Sequence, residues 1–392
     1  MARTLARTVS FEDFRAAAKA RLPRLLFDYI DGGSYAETTI RNNAAAFEAA
    51  TLEPRLMVDV SAPDSRVSVC GQDLPSPLIL APVGFAGMYA RRGEVQAARA
   101  AAKAGVPFTL STVSICSIEE VTKGAGAAPW FQLYMIKDRG YVAELLGRAR
   151  AAGCPVLVLT ADLQTPGARY RDVRSGMTRK PGLADWIARG AEGAGKLGWV
   201  RDVYLSGRPH AFGNLEGVLP KAADFHDAWA WIAANFDPSL SWADLDFIRS
   251  NWDGPIVLKG VMNVEDARLA ARHGLDAIVV SNHGGRQLDG ARATLEVLPR
   301  IAEAVGGELD VLVDGGVRSG LDILKAVEHG ADAVMAGKAW AYALAGFGEA
   351  GVSRLLDIWA GELKTAQALS ARLTLRRDAR AATKRPKPDP AR

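Results

Sequence analysis

The sequence predicts an α/β protein built as a closed (β/α)8 barrel of the TIM type, and three observations carry that expectation. Eight short apolar runs rich in β-branched residues recur between Leu78 and Gly337. Ala-rich helical stretches separate most of them, at roughly 20 to 35 residues per strand–helix unit, the repeat of a parallel sheet. Chemically capable polar residues sit at or just after the ends of these runs, and in a barrel those ends share one face.

Taken in chain order, residues 1–60 read as a helical cap, with helices expected at Phe11–Leu22, Leu25–Ile30 and Thr38–Ala50. The eight expected strands are Leu78–Pro82, Pro107–Ser111, Trp130–Tyr134, Val156–Ala161, Pro255–Gly260, Ala277–Ser281, Val311–Asp314 and Ala333–Gly337. Stretches such as Gly93 to Ala104 and Asp322 to His329 supply the helices between them. One gap breaks the rhythm. After the fourth strand, residues 173–242 form a long insertion on the face where barrel loops build active sites. Residues 1–375 thus read as a single domain. The segment 376–392 holds seven Lys/Arg against two Asp/Glu, with Pro386, Pro388 and Pro390, and reads as a disordered basic tail.

Composition narrows the function. Of 392 residues, 49% are apolar and 23% charged, which describes a globular chain with ample core. The net charge of +4 is smaller than the tail's excess of five, so the body is nearly neutral. That argues against nucleic acid as a partner. No run approaches the roughly 18 apolar residues of a membrane span, and the N-terminus lacks the apolar core of a signal peptide. Cys70, Cys116 and Cys154 show neither disulfide nor metal spacing and read as buried thiols in a reducing compartment. The five His residues form no HxH or HExxH pair, so no metal is expected.

The chemistry concentrates in Ser281-Asn282-His283-Gly284-Gly285-Arg286-Gln287-Leu288-Asp289, directly after the sixth strand. A His and an Arg three residues apart suit an anionic substrate whose proton must be removed. The imidazole takes the proton, and the guanidinium grips a carboxylate at two points. Ser111, Gln132, Tyr134, Thr160, Asp162, Lys259, Ser281, His283 and Asp314 sit at or just after the ends of six different strands and would surround one cavity. Asp314-Gly315-Gly316-Val317-Arg318 and Ala336-Gly337-Lys338 follow the last two strands, where barrels commonly bind phosphate. No GxGxxG opening a Rossmann unit and no P-loop is present. Lys259 could stabilise negative charge on a bound conjugated ring. A Schiff-base Lys is the competing reading, and it leaves His283, Arg286 and the glycine loops without a joint role.

The chain resembles the FMN-dependent α-hydroxy-acid dehydrogenase/oxidase family, and within it the bacterial respiratory L-lactate dehydrogenases. The similarity runs from Phe27-Asp28-Tyr29 to Gly346. It is carried by Ala81-Pro82-Val83-Gly84, Leu110-Ser111-Thr112-Val113-Ser114, Trp130-Phe131-Gln132-Leu133-Tyr134, Thr165 to Asp172, Asn235-Phe236-Asp237-Pro238 and the run around His283. The resemblance implies His283 as catalytic base with Asp162 as its carboxylate partner. It implies Arg286 and Arg169 on the substrate carboxylate, and Tyr29 and Tyr134 on the substrate through their hydroxyls. Lys259 would lie beside the flavin, with Ser111, Gln132, Thr160 and Ser281 bonding its ring or ribityl chain. Asp314, Gly316, Arg318, Gly337 and Lys338 would hold the ribityl phosphate end. Three positions depart from relatives. Lys338 stands where they mostly carry Arg, Val113 where plant glycolate oxidases carry a large aromatic, and Gly84 where oxidases often carry Ala. The last leaves extra room near the flavin and favours dehydrogenase behaviour by analogy.

The implied reaction is oxidation of L-lactate to pyruvate, with electrons passing from FMN to a respiratory quinone or another non-oxygen acceptor. An oxidase making hydrogen peroxide and a mandelate or other 2-hydroxy-acid dehydrogenase are the enzymatic alternatives. A catalytically silent FMN-binding barrel would need a broken base or clamp, and all four of His283, Asp162, Arg169 and Arg286 are present. Segment 173–242 carries five of the nine Trp, namely Trp186, Trp199, Trp229, Trp231 and Trp242. Its first part, Val173 to Lys221, has eight Lys/Arg against four Asp/Glu. Basic residues interleaved with Trp suit a surface resting on an anionic bilayer, here the cytoplasmic face of an inner membrane. The alternative is a lid whose Trp pack on the barrel. Relatives are often tetrameric, which implies a homo-oligomer.

Overall fold

Parallel strands buried on both faces need apolar side chains throughout rather than alternating ones. The strands of this chain meet that demand, as Leu157–Thr160, Ala277–Val280, Asp310–Val313 and Ala333–Ala336 are buried at every position. In the computed structural model, which describes residues 2–177, 182, 190–219 and 225–375, ten strands form. A two-stranded antiparallel hairpin comes first, β1 (Val67–Val69) and β2 (Gln72–Leu74). The barrel follows with β3 (Leu78–Leu80), β4 (Thr109–Ser111), β5 (Trp130–Tyr134), β6 (Leu157–Thr160), β7 (Ile256–Val261), β8 (Ala277–Val280), β9 (Asp310–Val313) and β10 (Ala333–Ala336). All pair in parallel, in the order β3-β10-β9-β8-β7-β6-β5-β4. An isolated parallel bridge between Leu80 and Phe108 joins the two ends. The Leu80 N–H also donates to the Pro107 carbonyl at 2.8 Å. The (β/α)8 barrel expected from sequence is therefore present, with all eight strands where they were placed. The hairpin was not foreseen, because its short strands carry exposed polar residues, Ser68 and Asp73, and so are not the apolar runs that mark the barrel.

One irregularity serves the open face of the barrel. The β7–β8 register shifts between Lys259 and Val261, a bulge around Gly260. Gly260 has φ +114°, and a Cβ there would lie 2.6 Å from the Asp162 Cβ. Only glycine lets β7 turn Lys259 inward while the end of β6 comes this close.

The N-terminal helices Phe11–Arg21, Arg24–Asp31 and Thr38–Ala49 match the expected cap within a residue or two. Ser10 and Asp13 form a reciprocal capping box at the first of these. The third helix lies against the turn after β8, where a Cβ on Gly285 would come within 2.7 Å of the Ile40 backbone N. Asp31 fastens the cap. Its buried carboxylate accepts from Arg15 Nε (2.6 Å), Arg171 Nη1 (2.6 Å) and the Tyr342 hydroxyl (2.7 Å). Burial alone would raise its pKa, but these three bonds outweigh burial and keep it well below the usual carboxylate range. Cap, β6 loop and the Lys338–Phe347 helix thus share one ionised hub.

Within 173–242 the described residues give short helical turns at Leu197–Trp199 and Val200–Leu205 and a helix at Phe225–Asn235. The segment rejoins the barrel where Asp237 N–H donates to Met135 O (2.9 Å), which brings Phe236 against Tyr134. Trp199, Trp231 and Trp242 pack against the core, as a lid requires. Trp186 and the tail 376–392 lie outside the described residues. Among the described residues no helix is long and apolar enough to cross a membrane.

Candidate active site

A cavity of about 550 Å³ lies between the helical cap and the C-terminal face of the barrel. Tyr29, Tyr134, Thr160, Lys259, His283, Arg286, Asp314, Gly316, Arg318, Gly337 and Lys338 line it. Asp162 and Ser281 bond His283 and Lys259, Arg169 lies over the Tyr29 ring, and Ser111 bonds Gln132. All the residues selected from sequence therefore converge on one place.

His283 is held in a strained conformation, φ +58°, unusual for a residue with a side chain. Its N–H donates to Ser281 Oγ at 3.0 Å, and the Asn282 side chain accepts from Gly285 N. Asn282 in turn exchanges two amide hydrogen bonds with Asn43 of the cap, at 2.8 and 2.9 Å. His283 Nδ1 lies 2.7 Å from Asp162 Oδ1. Burial pushes the imidazole pKa below its ordinary 6.5, against the pull of Asp162, so the ring is neutral at pH 7. Burial opposes ionisation of Asp162 too, but His283 and Lys259 outweigh it and hold its pKa below the usual value. An ionised Asp162 makes Nδ1 the protonated nitrogen and leaves the Nε2 lone pair free. Nε2 lies 3.4 Å from the Tyr134 hydroxyl, at the cavity wall.

Lys259 is buried, donates to Ser281 Oγ (2.9 Å), and lies 3.3 Å from Asp314 and 4.0 Å from Asp162. Burial would lower its pKa, yet the two carboxylates raise it above 10.5. A Schiff-base lysine must be a neutral amine, so this environment removes that reading. Arg286 donates through Nη1 to the carbonyls of Tyr29 (2.5 Å) and Gly32 (2.9 Å). Its guanidinium lies 4.7 Å from the Tyr29 ring centre, and that of Arg169 lies 5.4 Å from the same ring. Tyr29 therefore brings both cations to one aromatic ring.

A family profile described as FMN-dependent dehydrogenase matches residues 18–380. The chain belongs to the FMN-dependent dehydrogenase family. It is 53% identical over 366 residues to an L-lactate dehydrogenase of Caulobacter sp. (strain K31), covering 93% of this chain and 96% of the relative. It is 50% identical over 361 residues to an L-lactate dehydrogenase of Actinobacillus pleuropneumoniae serotype 5b (strain L20), covering 92% and 94%. Among solved structures it is similar to the monotopic membrane protein (S)-mandelate dehydrogenase, with TM-score 0.87, 31% identity and coverage of 96% and 98%. A mandelate oxidase with (S)-4-hydroxymandelic acid gives TM-score 0.81, 37% identity and coverage of 94% and 96%.

The cavity of this FMN-dependent dehydrogenase fits its cofactor. Gln132 Nε2, Thr160 Oγ1 and Asp314 Oδ1 are buried polar atoms with no hydrogen-bond partner among the described residues, a costly arrangement unless a ligand completes it. Ser111 Oγ donates to Gln132 Oε1 (3.0 Å), which leaves the Gln132 amide N–H groups to serve the ligand. The two cations of the glycine loops are both at the cavity. Arg318 bonds Glu48 of the cap (2.7 Å), and Lys338 Nζ donates to the Asp31 carbonyl (2.7 Å). One expectation needs correction. The extra room at Gly84 is partly filled, since a Cβ there would lie 2.8 Å from Val113 Cγ2 and 3.7 Å from the Tyr29 hydroxyl. Asp31, Arg171 and the Asn43–Asn282 pair were missed from sequence. Each works through a partner more than a hundred residues away, and no local spacing reveals that.

Proposed function

We propose that this protein oxidises L-lactate to pyruvate and delivers the electrons to a respiratory quinone. The observation that carries the reading is the neutral His283, its Nε2 3.4 Å from the Tyr134 hydroxyl in a cavity that Arg286 also lines. It occurs in a chain half-identical, over nine-tenths of its length, to named L-lactate dehydrogenases. Bound FMN supplies the two-electron acceptor. Gln132, Thr160, Ser111, Ser281 and Lys259 would hold its ring and ribityl chain, and Asp314, Gly316, Arg318, Gly337 and Lys338 its phosphate end.

The remaining work belongs to the protein. Arg286 and Arg169 orient the substrate by its carboxylate, while the Tyr29 and Tyr134 hydroxyls bond its polar groups. His283 Nε2 accepts one of the two protons lost on oxidation. The Asp162 carboxylate then faces an imidazolium, stabilising the charge as it forms without rearranging. Lys259 keeps a fixed positive charge in the wall.

An apolar electron acceptor and the monotopic relative both favour a membrane-facing surface. Among the described residues of the insertion, Leu197, Tyr204 and Leu205 are exposed apolar side chains, and Arg201 and Arg208 are exposed beside them. Arg208 stacks on the Tyr204 ring at 5.7 Å. This mixture of apolar and cationic groups suits an anionic bilayer.

His283→Gln is expected to retain yellow FMN while flavin reduction by L-lactate slows by about 10²- to 10⁴-fold, the usual worth of a general base. Full-rate reduction would remove His283 from the mechanism. Because burial lowers the His283 pKa, the base is already free at neutral pH. In the native enzyme kcat/KM should be flat around pH 7 and fall only below pH 6.5; a fall beginning near pH 8 contradicts this.

Lys338 gives a second pH effect. Burial, reinforced by Arg286, lowers its pKa to about 7, so above pH 7 it must take up a proton to pair with a phosphate. FMN affinity, measured by fluorescence recovery, should weaken by up to about tenfold per pH unit above 7 by linkage. Lys338→Arg, always charged, should remove that slope. Equal slopes in both proteins count against phosphate contact. Co-sedimentation with phosphatidylglycerol vesicles tests the surface at Leu197 to Arg208. Leu197→Asp/Leu205→Asp should abolish binding, and unchanged binding moves the contact elsewhere.

A further inference from the structure

Asp172 is a carboxylate that neither the fold nor the proposed reaction accounts for. It lies in the short helix Tyr170–Arg174, ten residues after Asp162, with only 2% of its surface exposed. An aspartate in a helical first turn ordinarily caps backbone N–H groups. Asp172 does not: the helix start at Arg169 has no side-chain cap, and Asp172 Oδ2 is buried without a hydrogen bond among the described residues. Its nearest ionic neighbour is Arg169, whose Nε lies 3.4 Å from that oxygen, and both side chains are almost fully buried. Arg286 also acts on the Asp172 carboxyl electrostatically. The two guanidiniums meet the Tyr29 ring from 5.4 and 4.7 Å and repel each other.

We infer that Asp172 is a positioning residue that holds Arg169 against the Tyr29 ring and so sets the affinity for the substrate carboxylate. The inference rests on the reading that Arg169 and Arg286 grip that carboxylate. Asp172 offsets the repulsion between the two cations, and its contact with Arg169 Nε limits the orientations the Arg169 fork can take. A purely electrostatic role makes the opposite forecast. Asp172 is itself an anion close to an anionic ligand, so its neutralisation would then tighten binding. The sign of the effect therefore separates the two roles.

The test uses the FMN-loaded enzyme under anaerobic conditions, following flavin bleaching across L-lactate concentrations to give both Kd and the limiting reduction rate. Four variants are compared: Asp172→Asn, Asp172→Glu, Arg169→Met and the double Arg169→Met/Asp172→Asn. Asp172→Asn should raise Kd about tenfold, a loss of one charge-assisted contact. The limiting rate should stay within about twofold, because the base and its partner are untouched. Asp172→Glu should recover most of the affinity, and the double variant should bind no worse than Arg169→Met alone. An unchanged or lower Kd in Asp172→Asn, with Arg169→Met still weakened, overturns the inference and spares the clamp. An unchanged Kd in Arg169→Met overturns the clamp and the inference with it. If Asp172→Asn does not retain FMN, the rescue by Asp172→Glu decides: failure to restore affinity in a flavin-loaded protein overturns positioning.

Discussion

The hydrogen bond from His283 Nδ1 to Asp162 is the interaction on which the rest of the structure depends. It joins the ends of two barrel strands that are adjacent only through β7, and the bulge at Gly260 lets Asp162 approach closely enough to make it. It also decides the chemistry. An anionic Asp162 places the ring proton on Nδ1, and burial keeps the ring neutral, so Nε2 faces the cavity as a base. The strain of the His283 backbone is sustained by Ser281, Asn282 and the Asn43 brace around it.

Charge balance organises the surroundings. Lys259 remains ionised because Asp162 and Asp314 flank it, and Asp162 remains ionised in part because Lys259 is there. A second balanced group, centred on Asp31, ties the helical cap to Arg171 and Tyr342 and closes the other wall. Lys338 fits neither group fully. It is buried beside the Asp31 carbonyl rather than a carboxylate, and its proton is correspondingly loosely held. Replacing a guanidinium by an amine at such a position changes both geometry and titration.

Much of this was legible in the sequence. The eight strands announced themselves because parallel barrel strands are continuous apolar runs, and the site residues because polar groups at strand ends are otherwise unneeded. His283, Arg286, Asp162 and Lys259 were found that way and converge as expected. The β1–β2 hairpin escaped because its short strands alternate with exposed polar residues rather than forming an apolar run. Asp31 and Asp172 escaped for a different reason. An acidic residue within a helix looks like an ordinary capping or surface group until its distant arginine partners are known. The tryptophans of 173–242 could be read in two ways from sequence. Their number suggested a bilayer surface or a lid; Trp199, Trp231 and Trp242 pack against the core, while Val173, Leu197, Tyr204 and Leu205 are exposed.

The most direct measurement is anaerobic mixing of the purified flavoprotein with L-lactate and, separately, D-lactate, followed by visible absorbance. Air or a soluble quinone is then admitted. The account predicts bleaching by the L isomer alone, followed by reoxidation much faster with quinone than with air. Rapid reoxidation by air with peroxide formed contradicts the assigned acceptor, and no bleaching by L-lactate contradicts the assigned substrate.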